Sequence, residues 1–496
     1  MSIRIYRYVN KLSSIRCYKL YSHGISVLCL AGITLAVISN TGCKRLLEIK
    51  PPYNSITTSQ VFGDSADAVS ALAGIYSNLI NTGPSRTFGS NGTTIIAGLS
   101  ADELVSFDNS DPAIQEFNSN TLETSNPDVN TFFWAPLYSL IYQCNAIIES
   151  TGASTNISNT AKSEIVGEAK FLRAYSYFYL TNLFGNVPLI ISTGYKANQL
   201  ASSAPVKAVY TQIINDLKDA QALLPTDYSA GKGEKIRPNK WAATAMLARA
   251  YLFSSDWQNA ETQASAVVNA NTFRLTSLDS VFLMNSDEAI FQLQINSSIN
   301  TGTYNATPEG YIFIPFDTTY PPSFYLDTTL LNDFEANDQR RVSWVDSTSY
   351  YGTVYYYPYK YKIGSGQSAA NAQVSEYYMV MRYAELYLIR AEAKAKLNTD
   401  LPGAIADINM IRSRAGLGDL PTSLTQSQVL DAILQEKRIE FFSEWGHRWL
   451  DLKRTGLATT ILSPIKPQWQ PYQQLYPVPI TELSSDPNLK QNPGYY

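Results

Sequence analysis

The sequence has almost no histidine: two residues in 496, His23 and His447. Chemistry that depends on an imidazole base would have to run through one of them. His23 sits in a basic leader, which leaves His447. It lies in Glu444-Trp445-Gly446-His447-Arg448-Trp449, crowded by aromatic and charged groups with no nucleophile beside it, so it reads as a structural residue. Cysteine is nearly as scarce. Of four, Cys17 and Cys29 lie in the leader and Cys43 closes it. Only Cys144 remains, so no disulfide framework can form in the body of the chain. Cys144 falls within an apolar helical pattern and reads as a small buried hydrophobe. Walker A, G-x-S-x-G and H-E-x-x-H patterns are all missing. Asp108 and Asp111 lack the spacing of an EF-hand, and neither a metal ion nor a cofactor is expected. Positive charge is short as well. The formal net charge is -4, yet the first 42 residues hold five basic side chains (Arg4, Arg7, Lys11, Arg16, Lys19) and no acidic ones. Without them the remainder carries -9. Phosphate backbones need clustered Lys and Arg, so nucleic acid is set aside as a partner.

What the chain does have is enough apolar residue, 45% hydrophobic over 496 positions, to bury a large core. Its longest apolar run, Ile25 to Ile38, follows the basic leader and is shorter than the ~18–20 residues of a membrane span. It suits the h-region of a secretory signal. Asn40-Thr41-Gly42-Cys43 comes next and resembles a bacterial lipobox, although Asn40 stands where Leu is usual. The expectation is a lipoprotein signal peptide over residues 1–42, with Cys43 acylated as the new N-terminus and membrane anchor.

Apolar periodicity predicts helices over much of the rest. Ile165, Ala169, Leu172, Ser176, Leu180 and Leu183 recur at spacings of three or four, which places them on one face of a helix over 162–184. Asn186-Val187-Pro188 stops it. Similar patterns predict helices over 133–149, 206–223, 241–253, 257–268, 383–397, 404–414 and 428–445. Small residues such as Ala248, Ala250, Ala260 and Ala264, and again Ala391, Ala393 and Ala404, would let paired helices approach closely, in the manner of tetratricopeptide hairpins. Elsewhere the pattern changes. Phe291, Leu293 and Ile295 alternate with Gln292 and Gln294, the period of a half-buried strand. From 301 to 361 the chain is rich in Pro, Asp and Thr and holds 11 of the 34 tyrosines, which predicts long loops with short strands laid over a helical scaffold.

Glu436, Glu440 and Glu444 occur at i, i+4 and i+8 and so line one side of a helix, with Arg438 and Arg448 nearby. A glycosidase needs two carboxylates flanking a bond. Carboxylates on a single helix seldom straddle a substrate, so the triplet is read as a structural ion-pair network. Asp102-Glu103 is read as a helix-start or loop contact.

Several ordered motifs then resemble the SusD/RagB family of outer-membrane nutrient-binding lipoproteins. They are Cys43-Lys44-Arg45-Leu46-Leu47-Glu48; Gly167 to Tyr175 with Leu183-Phe184-Gly185-Asn186-Val187-Pro188-Leu189; Arg382 to Ala393; Ile408-Asn409 with Ile411 to Gly416; Glu436 to Glu440 with Gly446 to Arg454; and Tyr476-Pro477-Val478-Pro479 with Gln491 to Tyr495. The resemblance implies a mainly α fold, SusD-like, of tetratricopeptide-type helical hairpins with long loops and a few short strands forming the ligand face. One domain would span 43–496, with a helical scaffold at about 60–270 and 376–496 and a loop-rich, Tyr-rich ligand side at about 271–375. It also implies no enzymatic activity. The implied role is a lid that captures oligosaccharide or polysaccharide at the cell surface, on the outer membrane, and delivers it to a SusC-type TonB-dependent transporter. A peptide-binding member of the family, or a surface glycosidase using Glu440 or Asp102, stands as the alternative.

The motifs are scaffold residues and do not locate a ligand. Sugar rings present apolar CH faces ringed by hydroxyls, so a glycan site wants exposed aromatic platforms beside polar side chains. Two segments qualify on composition: Arg86, Phe88 and Asn91 in a Gly-rich loop, and Tyr320, Phe324, Tyr325, Trp344, Tyr350 and Tyr351 in the tyrosine-rich region. On that reading, replacing Trp344 and Tyr350 together removes binding and leaves stability almost unchanged.

Overall fold

The computed structural model describes residues 64–80, 88–298 and 302–495. All of them belong to one compact unit. Twelve helices of eight residues or more are described: α1 Ser65–Ile80, α2 Gly92–Ser100, α3 Pro112–Ser119, α4 Ala135–Ala153, α5 Asn159–Phe184, α6 Val206–Leu223, α7 Lys240–Phe253, α8 Trp257–Val268, α9 Tyr383–Leu397, α10 Leu401–Arg414, α11 Gln426–Phe441 and α12 His447–Arg454. Three match the predicted spans to the residue, namely α6, α8 and α9. Local chemistry sets several starts. The Asn239 side chain accepts from the amides of Trp241 and Ala242 at the head of α7, Asp400 caps α10, and Thr425 and Gln428 form a reciprocal capping box on α11. Asp111 caps α3, and Asp108 accepts from the Ser110 amide.

Neighbouring helices from α4 to α10 pack against one another in chain order. The series is not broken by the long insertion between α8 and α9, because those two helices pack together as well. Alanines make this close approach possible. Ala242, Ala243, Ala248 and Ala250 of α7, Ala260 and Ala264 of α8, and Ala384, Ala391 and Ala393 of α9 are all fully buried.

The insertion holds only short helices and five of the eight described strands. The strands are β1 Leu104–Ser106, β2 Val187–Pro188, β3 Ser203–Ala204, β4 Ala289–Leu293, β5 Phe324–Leu326, β6 Val345–Tyr350, β7 Thr353–Pro358 and β8 Tyr378–Arg382. They form four antiparallel pairs, β1–β5, β2–β3, β4–β8 and β6–β7. The predicted half-buried strand differs from the one observed. β4 ends at Leu293 and is buried along its whole length, because it packs against α1 and α7 and the register shifts around Phe291. Gln292 is therefore interior, with its amide donating to the Leu283 carbonyl at 3.0 Å and accepting from the Asn285 amide at 2.9 Å.

The acidic triplet is a structural network, but only Glu436 and Glu440 lie on α11, which ends at Phe441 and leaves Glu444 in the corner after it, and the partners differ from the predicted ones. Glu436 and Glu440 receive Arg340, at 2.5 and 3.0 Å. Arg382 reaches Glu288 at 2.9 Å, Glu444 at 2.8 Å and Glu440. Arg414 bridges Glu288 and Glu440, and Lys360 contacts Glu444 at 2.5 Å. Arg438 and Arg448 turn away to a different carboxylate, Asp102, at 2.9 and 2.8 Å. Burial alone would raise Asp102, yet these two guanidiniums hold it below its ordinary value. Arg340 and Lys360 come from the insertion, whereas Arg414, Glu436 and Glu440 come from the C-terminal helices. The network thus fastens the insertion to the scaffold.

The corner between α11 and α12 is tight. Ser443, Trp445 and Gly446 all have positive φ, and a Cβ on Gly446 would come within 2.6 Å of Ala97 Cβ. Glycine is required there by the approach of α2. His447 follows, its ring stacked on Phe441 at 4.7 Å and its pKa pushed down to about 3 by burial. Cys144 is fully buried in α4.

Glu103 gives one of the expected pH effects. It is buried, its Oε1 has no hydrogen-bond partner, and burial followed by the charge of Asp102 pushes its pKa up to about 8. A carboxyl raised in the folded state favours folding fully below its unfolded pKa of roughly 4.3, and that contribution is lost as pH climbs through the folded value. Glu103→Gln should therefore matter little at pH 5 and raise the melting temperature above wild type at pH 8.5. The free-energy gap should widen by up to about 1.4 kcal/mol per pH unit. Melting curves showing a gap that is constant or shrinks with pH would disprove this assignment.

Candidate aromatic binding face

Strand alternation decides which tyrosines of the insertion reach solvent. In β5, Phe324 and Leu326 point inward while Tyr325 is half-exposed. Val105 of β1 pairs with Tyr325, and Phe107 continues that face two residues on, with its amide bonded to the Ser323 carbonyl at 3.0 Å. The β6–β7 hairpin lies beside them. Thr348 opposes Tyr355 and Tyr350 opposes Thr353, so Tyr350 and Tyr355 share one face.

The result is a ring cluster built from three distant segments. Phe107 sits edge-on to Tyr350 at 5.8 Å and to Tyr355 at 5.3 Å, and Tyr325 is 5.1 Å from Tyr355. Tyr351 stands 4.5 Å from Tyr350. Tyr320 joins through a loop that Thr348 Oγ1 ties down by donating to the Thr318 carbonyl at 3.1 Å, and it lies 6.3 Å from Phe316. Tyr320 and Phe316 are both more than half exposed.

The hairpin tip carries backbone strain. Tyr351 and Gly352 form a two-residue loop with φ of 46° and 81°, the signature of a type I′ turn. Gly suits its place. A bulky aromatic at positive φ is an outlier that costs of order 1–3 kcal/mol, and Asn or Gly would relieve it. Tyr351 is also 92% exposed, so little beyond its edge contact with Tyr350 offsets that cost. Strained, solvent-facing rings of this kind collect at ligand-contacting positions.

Four of the candidates from the sequence are not at this surface. Trp344 is fully buried; its indole Nε1 donates to the Leu278 carbonyl at 3.0 Å, and its ring lies under Lys360 at 4.8 Å, Arg414 at 5.6 Å and Arg382 at 5.8 Å. It covers the ion-pair network. Phe88 is buried among Tyr175, Tyr179 and Trp445. Phe324 is buried by strand alternation. Asn91 is buried at the head of α2, where its amide donates to the Pro308 carbonyl at 3.1 Å. A platform for a sugar must present its face to water, so these four are packing residues. Arg86 and Cys43 lie outside the described residues. Tyr320, Tyr325, Tyr350 and Tyr351 are brought together, and the structure adds Phe107, Phe316 and Tyr355. Phe107 was missed because its signal, the short apolar alternation Leu104-Val105-Ser106-Phe107, is only one strand long.

A stack of helical hairpins carrying an inserted, ring-bearing face, with its conspicuous acidic triplet engaged in ion pairs, has the make-up of a binding module. The comparisons with known proteins agree. The family model described as SusD family matches residues 333–495, and the one described as starch-binding associating with outer membrane matches residues 91–252. A SusD-like protein of Formosa agariphila is 29% identical over 93% of this chain and 99% of its own length. The starch-binding protein SusD of Bacteroides thetaiotaomicron is 23% identical over 72% of this chain and 76% of its own. Among solved structures, a SusD superfamily protein of Bacteroides vulgatus has a TM-score of 0.74 at 22% identity, covering 87% of this chain and 99% of that one. A laminarin-binding SusD-like protein has a TM-score of 0.71 at 24% identity with the same coverage.

The chain belongs to the SusD family, whose members are non-catalytic, carbohydrate-binding and associated with the outer membrane. Among the described residues no helix is long and apolar enough to cross a membrane.

Proposed function

We propose that this protein captures an oligosaccharide or polysaccharide on the aromatic face around the β6–β7 hairpin and delivers it to a SusC-type TonB-dependent transporter, for which it acts as a lid. Residues 1–42 would be the signal peptide, Cys43 the lipid anchor, and 43–496 a single domain facing the cell exterior. The observation that carries this reading is the convergence of Phe107, Tyr320, Tyr325, Tyr350, Tyr351 and Tyr355 from three segments onto one accessible surface. Rings at such spacing offer successive stacking faces to the CH sides of a glycan, while their phenols and the neighbouring Thr, Ser and Asp side chains meet its hydroxyls.

The strained tip supplies a clean test. Asn tolerates positive φ, so Tyr351→Asn should leave stability unchanged or raise it by about 1 kcal/mol. Glycan affinity should fall at the same time, by about fivefold or more, as a stacked ring is worth about 1 kcal/mol. Calorimetric titration against a glycan that the wild type binds, paired with thermal melts, reads both quantities. Unaltered affinity in a variant that folds normally would move the ligand away from the hairpin.

A further inference from the structure

We infer that the aromatic face takes an uncharged glycan and discriminates against polysaccharides bearing carboxylate or sulfate groups. The inference rests on the binding reading above and deepens it, and what carries it is the charge that accompanies the rings.

Every ionisable group of fixed sign that the described structure places on this face is acidic. Asp108 follows Phe107 directly and is exposed, its Oδ1 held by the Ser110 amide at 2.8 Å. Asp317 lies beside Phe316 and is exposed, its Oδ1 accepting from the amide of Thr319 at 2.7 Å. Asp346 is exposed on the same side of the hairpin as Tyr355 and accepts from the Tyr357 hydroxyl at 3.2 Å. Asp327 follows β5 and is close enough for its charge to act on the Tyr325 phenol. None of the four forms an ion pair with another described residue.

The nearest cations are turned elsewhere. Arg341 stacks over Tyr356 at 4.5 Å, and Tyr356 opposes Ser347 on the reverse face of the hairpin. The Lys362 ammonium is held by the carbonyls of Ser343 and Tyr359 at 2.6 Å each, at the base of the hairpin, where its charge is already met by that of Asp346. Arg340 and Lys360 are inside the ion-pair network. An anionic sugar laid on the rings would thus meet several like charges and, among the described residues, no guanidinium to receive it. Arg is the residue that usually recognises carboxylate and sulfate groups, through paired hydrogen bonds. A neutral glycan meets the same carboxylates as hydrogen-bond acceptors for its hydroxyls.

At about 8–10 Å in water each like charge weakens binding by roughly twofold, so four of them give about tenfold at low salt. The test is affinity electrophoresis and calorimetry of the purified mature protein. One set of probes is neutral (starch, laminarin, xylan, galactomannan) and the other acidic (alginate, pectate, carrageenan), each at 50 and 500 mM NaCl. The expected result is binding confined to neutral polysaccharides and changing less than twofold with salt. An Asp108→Asn, Asp317→Asn, Asp346→Asn triple variant should then gain several-fold for acidic probes at low salt. Tightest binding to an acidic polysaccharide, weakening as salt rises, would overturn this inference while leaving glycan capture intact. Absence of binding to either set would overturn both.

Discussion

Trp344→Ala should lower folding stability by about 3–5 kcal/mol, the range for deleting a buried aromatic side chain. The expectation inverts what the sequence suggests, in which this ring belongs to the ligand. In the structure it has no exposed surface, it satisfies the Leu278 carbonyl, and it lies under three cations that sit in a water-poor interior. Removing it would leave a cavity beside charged groups and admit water among them. Trp344→Phe retains most of the ring and loses the indole donor, so it should fall between the two. Thermal and urea melts check the order. A Trp344→Ala protein that melts within a degree or two of wild type but no longer binds glycan would return this residue to the ligand site.

Arg382→Met should be comparably damaging, about 3–5 kcal/mol, because breaking a buried ion pair strands the remaining charge. Arg382 faces three carboxylates, Glu288, Glu440 and Glu444, and also bonds the Glu440 carbonyl at 2.7 Å. Glu440 is held well below its ordinary value: burial opposes this, but Arg414, Arg382 and Arg340 outweigh it. A depressed carboxylate stabilises the fold above its unfolded pKa, and that contribution is lost as pH falls toward the folded value. Arg382→Met should therefore flatten the acid side of the stability profile as well as lower its maximum. Arg382→Lys keeps the charge without the planar fork and should recover only part of the loss. Equal stability of the Met variant and wild type at pH 7 would show that the insertion is fastened by other contacts.

The two effects bear on function through the same geometry. Apart from Phe107, which follows β1, the ring cluster sits on β5, β6, β7 and the loops before and between them, and the insertion that bears those elements is anchored by Arg340, Lys360 and Trp344. Glycan affinity in either variant should fall only to the extent that the folded fraction falls. The Tyr351→Asn variant should do the opposite, losing affinity while the fold holds.

Helix α5 shows how far pattern reading reached. Its predicted span, 162–184, ends where the helix ends and begins three residues late, since the cap at Ser158 precedes the apolar repeat. The structural role of Glu436 and Glu440 was legible too, because carboxylates one turn apart share a helix face; Glu444 joins them from the corner beyond the helix end. Their partners were not legible. Arg448 reaches Asp102 from 346 positions away, and Arg382 reaches Glu288 from 94 away, whereas the nearby Arg438 goes elsewhere. Strand β4 misled for a related reason: alternation describes one chain, and it took α1 and α7 to bury both faces.

By itself, then, the sequence determined the helices, the family, the acidic surplus and the lack of catalytic machinery. The family was carried by the resemblance of several ordered motifs, and the rest is local or compositional, written in periodicity, caps and residue counts. Only the tertiary structure decided which aromatics face solvent and which hold the molecule together. A tyrosine or tryptophan has the same ring whether it faces water or a guanidinium, and strand register together with long-range ion pairing turned Tyr351 outward and Trp344 in.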